Sequence, residues 1–565
     1  METSAVLKPR AFSLGRRADH LARLRARQFD VLVVGGGITG AGIALDAAAR
    51  GLSVALIEKR DFASGTSSRS TKLIHGGLRY LAQFRFRLTY EALRERSLLR
   101  RLAPHLVDPI PFIFPIYHRR REVWWVNTGL WLYDLLAGPG PMPFHRRLSP
   151  AETLQRVPSL KADGLVAGLV YYDARTDDAR LVIEVLKAAV HHGATIANDV
   201  AAEEILHDQD RRAYGVLARD RASGEIFPIR AHRIVIAAGI WLDEILGDHH
   251  RRVRPAKGVH IIVPRARLGG DDAVVFPTPD RRLMFVIPWQ GQTLIGTTDT
   301  DYQGPLDDPR ATSDDIAYIL DVVNQAFPAV HLGPGDIISV QAGLRPLIAS
   351  EEATTASISR EDRIFEGPDG VIAIAGGKLT TYRRMAQKVT NLVVRRLQEE
   401  GKRQQVPPSW TDRIPLGGWP EANPGRADGQ VEAQAPPDSA ALGLPPGASA
   451  HLWRMYGVNW QIVADLAADD PPLARPLIEG LETLRAEVVM AARHEMAQTL
   501  CDALARRTHI ALLDRDHGKQ AAADAARLMA RELGWDEVEI SRQLARYEQE
   551  VEQFSAASLR PEIAR

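Results

Sequence analysis

Gly35, Gly37 and Gly40 stand in the pattern G-x-G-x-x-G within "VVGGGITGAG", and Glu58 follows about 20 residues later. This spacing belongs to dinucleotide recognition. The first glycine permits a tight turn, the second lets backbone approach a pyrophosphate, and the third lets helix and strand pack closely. The carboxylate, ending a second strand, is placed to accept from ribose hydroxyls. A second stretch, "STKLIHGGLRYL" at 70–81, sets Lys72, His75 and Arg79 around the adjacent glycines Gly76 and Gly77, with Tyr80 beside the arginine. Paired glycines weaken a helix. With cations on both sides, the break reads as a seam where backbone passes close to a ligand.

These residues need a frame. Val31 to Val34 reads as a buried parallel strand. Ile38, Ala41, Ala44, Leu45 and Ala48 then recur at helical spacing, Gly51 ends the helix, and "SVALIE" is a second strand: one βαβ unit. "RIVIAAGIW" (233–241) is another buried strand running into a glycine. In 370–401 a strand, paired glycines and a long helix follow one another. The apolar stripe of that helix is Leu379, Tyr382, Met385, Val389, Leu392, Val393 and Leu397. The expected fold is therefore α/β. A Rossmann-like domain is assembled from 29–110, 171–250 and 340–403. An inserted antiparallel-sheet domain covers 111–170 with 251–339, where "KGVHIIVP", "LMFVIPW" and "TLIGTTD" are β-rich. A Pro/Gly-rich linker over 404–450 leads to a helical C-terminal domain, 451–565. Residues 1–28 form a basic extension, read as a solvated tail, with an arm on anionic lipid as the alternative.

The fingerprint does not separate FAD from NAD. "FASGTSSRSTK" (62–72) clusters hydroxyls just after Glu58, where a second wall along a pyrophosphate would form. Lys plus Arg is 71 and Asp plus Glu is 70, a balance that argues against nucleic-acid binding. The single cysteine, Cys501, excludes a disulfide framework and a cysteine-ligated metal cluster, and it suits a reducing cytoplasm. No metal site is expected. No apolar run is long enough to span a bilayer, and the N-terminus lacks the apolar stretch of a secretory signal.

The stretch from "GGGITGAG" through "STKLIHGGLRYL", with "KGVHIIVP", "FVIPW", "IGTTDTDY", "AGLRPL" and "GGKLTTYRRMA", closely resembles the FAD-dependent glycerol-3-phosphate dehydrogenases, in that family's order over most of 29–395. The resemblance implies an FAD site at Gly35, Gly37, Gly40 and Glu58. It implies that Thr66, Ser67, Ser68, Lys72, His75, Gly76 and Gly77 run along the pyrophosphate and flavin. Val200 would meet the adenine and Gly239 would end a strand near the cofactor. Gly377, Lys378, Leu379 and Thr380 would lie beside the flavin pyrimidine ring. Arg79, Tyr80, His260, Arg345, Arg360 and Lys378 would line the substrate pocket.

The implied chemistry agrees with these residue types. Glycerol 3-phosphate carries a dianion, and arginine forks hold phosphate oxygens well. Oxidation moves a hydride from C2 to flavin and a proton from its hydroxyl to a base. His260, with a near-neutral reference pKa, is one candidate, and an arginine or water is another. Lys378, at a helix start, would stabilise negative charge on reduced flavin, alongside Arg345 and His260 as the catalytic set. The family's acceptor is usually a membrane quinone, ubiquinone or menaquinone, or oxygen in its oxidase branch. "HRRREVWWVNTGLWLYDLL" (118–136) mixes cations and tryptophans as a lipid headgroup boundary favours. The expectation is a cytoplasmic protein peripheral to the inner face of the cell membrane, with a homodimer left open. The competing readings are a glycerol-3-phosphate oxidase, an FAD-dependent amine or amino-acid oxidase, and a non-enzymatic nucleotide-sensing module.

Overall fold

In the computed structural model, described over residues 13–138, 142–247, 250–280, 282–349, 361–418 and 437–556, one chain builds two sheets and a helical body. The first sheet runs in the order Asp362–Glu366, Ile372–Gly376, Ile226–Ile236, Gln28–Val34, Val54–Ile57, Thr195–Ala197. Neighbours on this path are parallel, except the outer strand Asp362–Glu366. A hairpin, Val200–His207 with Ala213–Asp220, joins the early half of Ile226–Ile236. Strand Gln28–Val34 is buried at every position after Gln28, because helices cover the sheet. Helices Ile38–Ala49, Asp178–His191 and Tyr382–Glu399 pack together over it. In the last, Tyr382, Met385, Val389, Val393 and Leu397 form the buried stripe, while Leu379 and Leu392 are partly buried at its margin.

The second sheet has ten strands, among them Asp108–Tyr117, Leu165–Arg175, Val253–Pro264, Leu283–Trp289, Gln292–Gly296 and Ser339–Ile348. Its pairings are antiparallel except one, Ala273–Pro277 beside Asp108–Tyr117. The boundaries differ from the expected ones. Residues 340–348 pair with Val253–Pro264, and 171–175 pair with 108–112, so both belong to this sheet. The short strand Leu73–Ile74 also pairs here, which carries the 70–81 stretch across the junction of the two sheets.

The C-terminal helices Ala448–Tyr456, Trp460–Asp469, Arg485–His494, Lys519–Leu533 and Glu537–Val551 enclose their own apolar core, which Trp289 and Ile262 of the second sheet enter. Two expectations at the margins are corrected. From residue 13 onward the N-terminal extension is no solvated tail: Leu14 is buried and donates to His494 O at 3.0 Å, and helix Arg17–Ala26 buries Leu21 and Leu24. Residues 404–418 are no loose linker either. Ile414 and Leu416 are core residues, and Trp410 Nε1 donates to Ala49 O at 2.8 Å. Among the described residues, no helix is long and apolar enough to cross a membrane.

Candidate active site

The cradle forms where strand Gln28–Val34 turns into helix Ile38–Ala49. Gly35 takes a φ of +115°, and a Cβ there would lie 2.6 Å from Ala237 O. A Cβ on Gly40 would strike Gly35 O, so helix and turn meet only without one. Gly37 caps the helix without a side chain, and Ser67 Oγ accepts from Ile38 N at 3.0 Å. Glu58, following strand Val54–Ile57, accepts from the N–H groups of Gly36 (2.7 Å) and Arg60 (3.0 Å). Burial raises its carboxyl, against the pull of those hydrogen bonds.

These elements line a cleft of about 370 Å³ together with Thr66, Val200, Gly239, Gly377 and Leu379. The cleft fits a dinucleotide. Its turn tolerates no Cβ, its helix start is open, and its carboxylate ends the neighbouring strand. Trp241 and Lys59 also line it, with the ammonium 4.2 Å from the ring centroid. Neither was anticipated, although Trp241 stands only two residues beyond Gly239.

A smaller cavity of about 160 Å³ adjoins the cleft, sharing Thr66, Pro346, Gly377 and Lys378. It gathers His75, Tyr80, His260, Arg345 and Thr380 from distant segments. Arg345 sits on strand Ser339–Ile348. Its Nη2 donates to Thr297 Oγ1 (2.9 Å) and Thr298 O (3.2 Å), and Nη1 lies 3.3 Å from Asp299 Oδ1. Gly258 makes room for it, since a Cβ there would strike the guanidinium. Lys378 caps the 3₁₀ turn Leu379–Thr381 that leads into Tyr382–Glu399, and its Nζ lies 3.4 Å from the Tyr80 ring centroid. Thr380 Oγ1 accepts from His75 N at 3.1 Å, fixing the seam to this turn.

His260 lies on strand Val253–Pro264, with Nε2 3.0 Å from Thr71 Oγ1. Its Nδ1 is buried with no hydrogen-bond partner among the described residues. Burial, then the charge of Arg345, then that of Lys72, pull the imidazole down to about 3. The near-neutral basicity expected from sequence is corrected: without an anion in the cavity the ring is neutral and weakly basic.

Other expected residues stand beside the two cavities without lining them. Lys72, at a φ of +57°, is buried in an ion pair with Asp178 (2.6 Å) and also donates to Ser68 O (3.1 Å). Lys72 and Ser68 line neither cavity; they brace the loop between them. Gly76 answers packing, since a Cβ would strike Leu93 and the Tyr133 hydroxyl, to which its N–H donates at 3.0 Å. Gly77 answers a left-handed turn with a φ of +79°. Arg360 and the side chain of Arg79 lie outside the described residues.

The family model described as "FAD dependent oxidoreductase" matches residues 30–386, and "C-terminal domain of alpha-glycerophosphate oxidase" matches 409–540. Glycerol-3-phosphate dehydrogenase 2 of Mycobacterium bovis is 42% identical over 559 residues, covering 98% of this chain and 93% of that protein. The chain belongs to the FAD-dependent glycerol-3-phosphate dehydrogenase family. The aerobic glycerol-3-phosphate dehydrogenase of Bacillus subtilis is 38% identical over 534 residues, covering 93% of this chain and 95% of the relative. The crystal structure of glycerol-3-phosphate dehydrogenase from Bacillus halodurans complexed with FAD superposes with a TM-score of 0.77 at 34% identity. It covers 97% of this chain and 99% of that one. FAD is thus the family's dinucleotide, which answers what the fingerprint left open. The second family model begins at 409, within the segment that packs on helix Ile38–Ala49.

Proposed function

We propose that this chain oxidises sn-glycerol 3-phosphate to dihydroxyacetone phosphate by hydride transfer to FAD and passes the electrons to a membrane quinone. One observation carries the reading: the dinucleotide cleft opens directly into a small cavity holding Arg345, Lys378, Tyr80 and His260. FAD, when bound, supplies the hydride acceptor. Arg345 binds the phosphate, its fork already aimed by Thr297 and Thr298. Lys378 adds a second charge at the start of the turn that leads into Tyr382–Glu399. Tyr80 holds the Lys378 ammonium over its ring. Arg79 and Arg360 complete the phosphate set.

His260 takes the hydroxyl proton. Burial is the first cause of its low value; a substrate dianion offsets the second, the field of Arg345, and so raises the imidazole from about 3. The neutral ring is already in the state that accepts a proton. Thr71 fixes its orientation through Nε2.

Helix Arg120–Ala137 supports the membrane part of the reading. Trp124, Trp125, Trp131 and Leu135 are 58–75% exposed on it, and Arg119, Arg120 and Arg121 stand at its N-terminal end. Phe144 is exposed beside Trp131, with ring centroids 6.4 Å apart. Large aromatics left in solvent beside cations fit a headgroup boundary better than water. Anaerobic mixing with glycerol 3-phosphate is expected to bleach the flavin, and a quinone analogue to restore it faster than oxygen does. A flavin indifferent to the substrate refutes the reading; faster return with oxygen overturns the quinone assignment.

A further inference from the structure

Residues 58–72 serve both cavities: Glu58, Gly65 and Ser67 line the larger, and Arg69 and Thr71 the smaller. Apart from the 3₁₀ turn Thr66–Ser68, this loop has no helix of its own to stiffen it. Two joints tie it to residues beyond 500. At the first, Asp61 is buried and accepts from both Nη atoms of Arg507 (2.8 Å each) and from Arg506 Nε (2.5 Å). These arginines end the π-helical turn Asp502–Arg507, and Arg507 also donates to Glu495 O at 3.0 Å. At the second joint, Arg69 donates to Ala342 O (3.1 Å) and to Gln553 Oε1 (2.8 Å). Gln553 is its one side-chain acceptor among the described residues. Burial, with repulsion from Arg506, draws the Arg69 guanidinium down to about 10.

We propose that the C-terminal helical region is a positioning domain for this loop, and that its two joints act on different steps. The proposal rests on the dehydrogenase reading. The Asp61 joint lies three residues from Glu58 and sets the wall of the cofactor cleft. The Arg69 joint lies two residues from Thr71, whose hydroxyl holds His260. Arg506, Arg507 and Gln553 are therefore positioning residues. None of the three lines either cavity, and each acts through Asp61 or Arg69. A π-turn in a helix is a strained choice that tertiary contacts must repay, and here it delivers two consecutive arginines to one carboxylate.

The test compares Arg506→Met and Gln553→Leu in the full-length chain, with FAD affinity read by fluorescence titration and turnover read with glycerol 3-phosphate. Arg506→Met should raise the FAD dissociation constant roughly tenfold or more and leave kcat at saturating FAD unchanged. Gln553→Leu should leave FAD affinity and KM unchanged and lower kcat roughly tenfold or more, as a misplaced acceptor does. Gln553→Glu keeps an acceptor for Arg69 and should restore kcat. This crossed pattern is what general loosening would not produce. Both variants shifting every parameter together, or neither shifting any, overturns the proposal. Loss of FAD from Gln553→Leu, or no restoration by Gln553→Glu, overturns the second joint. If Arg506→Met does not fold, Arg506→Lys reports the same affinity shift, and unchanged affinity in it overturns the first joint. Wild-type protein that ignores glycerol 3-phosphate fails the dehydrogenase reading alone, because the FAD titrations still decide the first joint.

Discussion

Replacing Arg345 by methionine keeps an unbranched chain and removes the guanidinium. Among the described residues that group donates to Thr297 Oγ1 (2.9 Å), Thr298 O (3.2 Å) and Asp299 Oδ1 (3.3 Å), contacts that hold the fork beside the smaller cavity. A hydrogen bond to a charged group contributes about 1.5–3 kcal/mol, which raises KM for glycerol 3-phosphate roughly tenfold to 150-fold. The upper end is expected. Asp299 would stay beside the substrate dianion without the Arg345 pairing. Asp299→Asn should act with the opposite sign, lowering KM by releasing Nη1 toward phosphate. The assay is anaerobic flavin bleaching at varied substrate, with FAD content checked by absorbance. Unchanged KM in fully loaded Arg345→Met would refute the phosphate role. A rise in both variants would show the pair acting only as a structural unit.

His260→Gln should lower kcat by roughly 10²–10⁴ with FAD retained; a kcat near wild type would pass the proton to another group. Acid should unfold the protein through three buried histidines, His20 at about 4 and His105 and His260 at about 3. Their native values lie below the unfolded 6.5, so the unfolded chain binds protons first. Their stability contribution is whole above pH 6.5 and is lost as pH falls toward 3–4. By pH 5 each has lost up to about 2 kcal/mol, measurable as a lower urea midpoint than at pH 7. Equal midpoints would sink this account. Trp124→Ser with Trp125→Ser should weaken co-sedimentation with anionic vesicles roughly tenfold or more, and undiminished binding would move the membrane face elsewhere. Gly40→Ala should yield protein without flavin, since the added methyl meets the Gly35 carbonyl; normal flavin content would contradict the geometry.

The nucleotide sheet was legible because its evidence is local. A β-branched run, three spaced glycines and a strand-ending carboxylate lie within about 30 residues, and the fold follows from that short period. Lys72 is less legible for the opposite reason. Its partner Asp178 is 106 positions away in sequence, so the buried ion pair leaves no local signal. His260 is legible as a strand residue, but its basicity depends on burial and then on the charge of Arg345, neither of which a local segment shows. Strand Asp108–Tyr117, with prolines at 109, 111 and 115, carries little strand signal, yet it pairs on both sides and moves a domain boundary. The segment 404–418 reads as linker by composition, and only Trp410, Ile414 and Leu416 betray its docking.

The order of strands in the parallel sheet has a consequence for how the chain is made. Gln28–Val34 sits between Val54–Ile57 and Ile226–Ile236, and the latter pairs in turn with Ile372–Gly376. The last of these leaves the ribosome about 340 residues after the first, a delay of roughly 17–70 s at ordinary synthesis rates. Within that interval Gln28–Val34 keeps an open edge until Ile226–Ile236 is made, and Ile226–Ile236 then keeps one until Ile372–Gly376 is made. Nascent chains stalled before residue 226 should therefore be rich in bound chaperone, and those stalled beyond residue 400 should shed it.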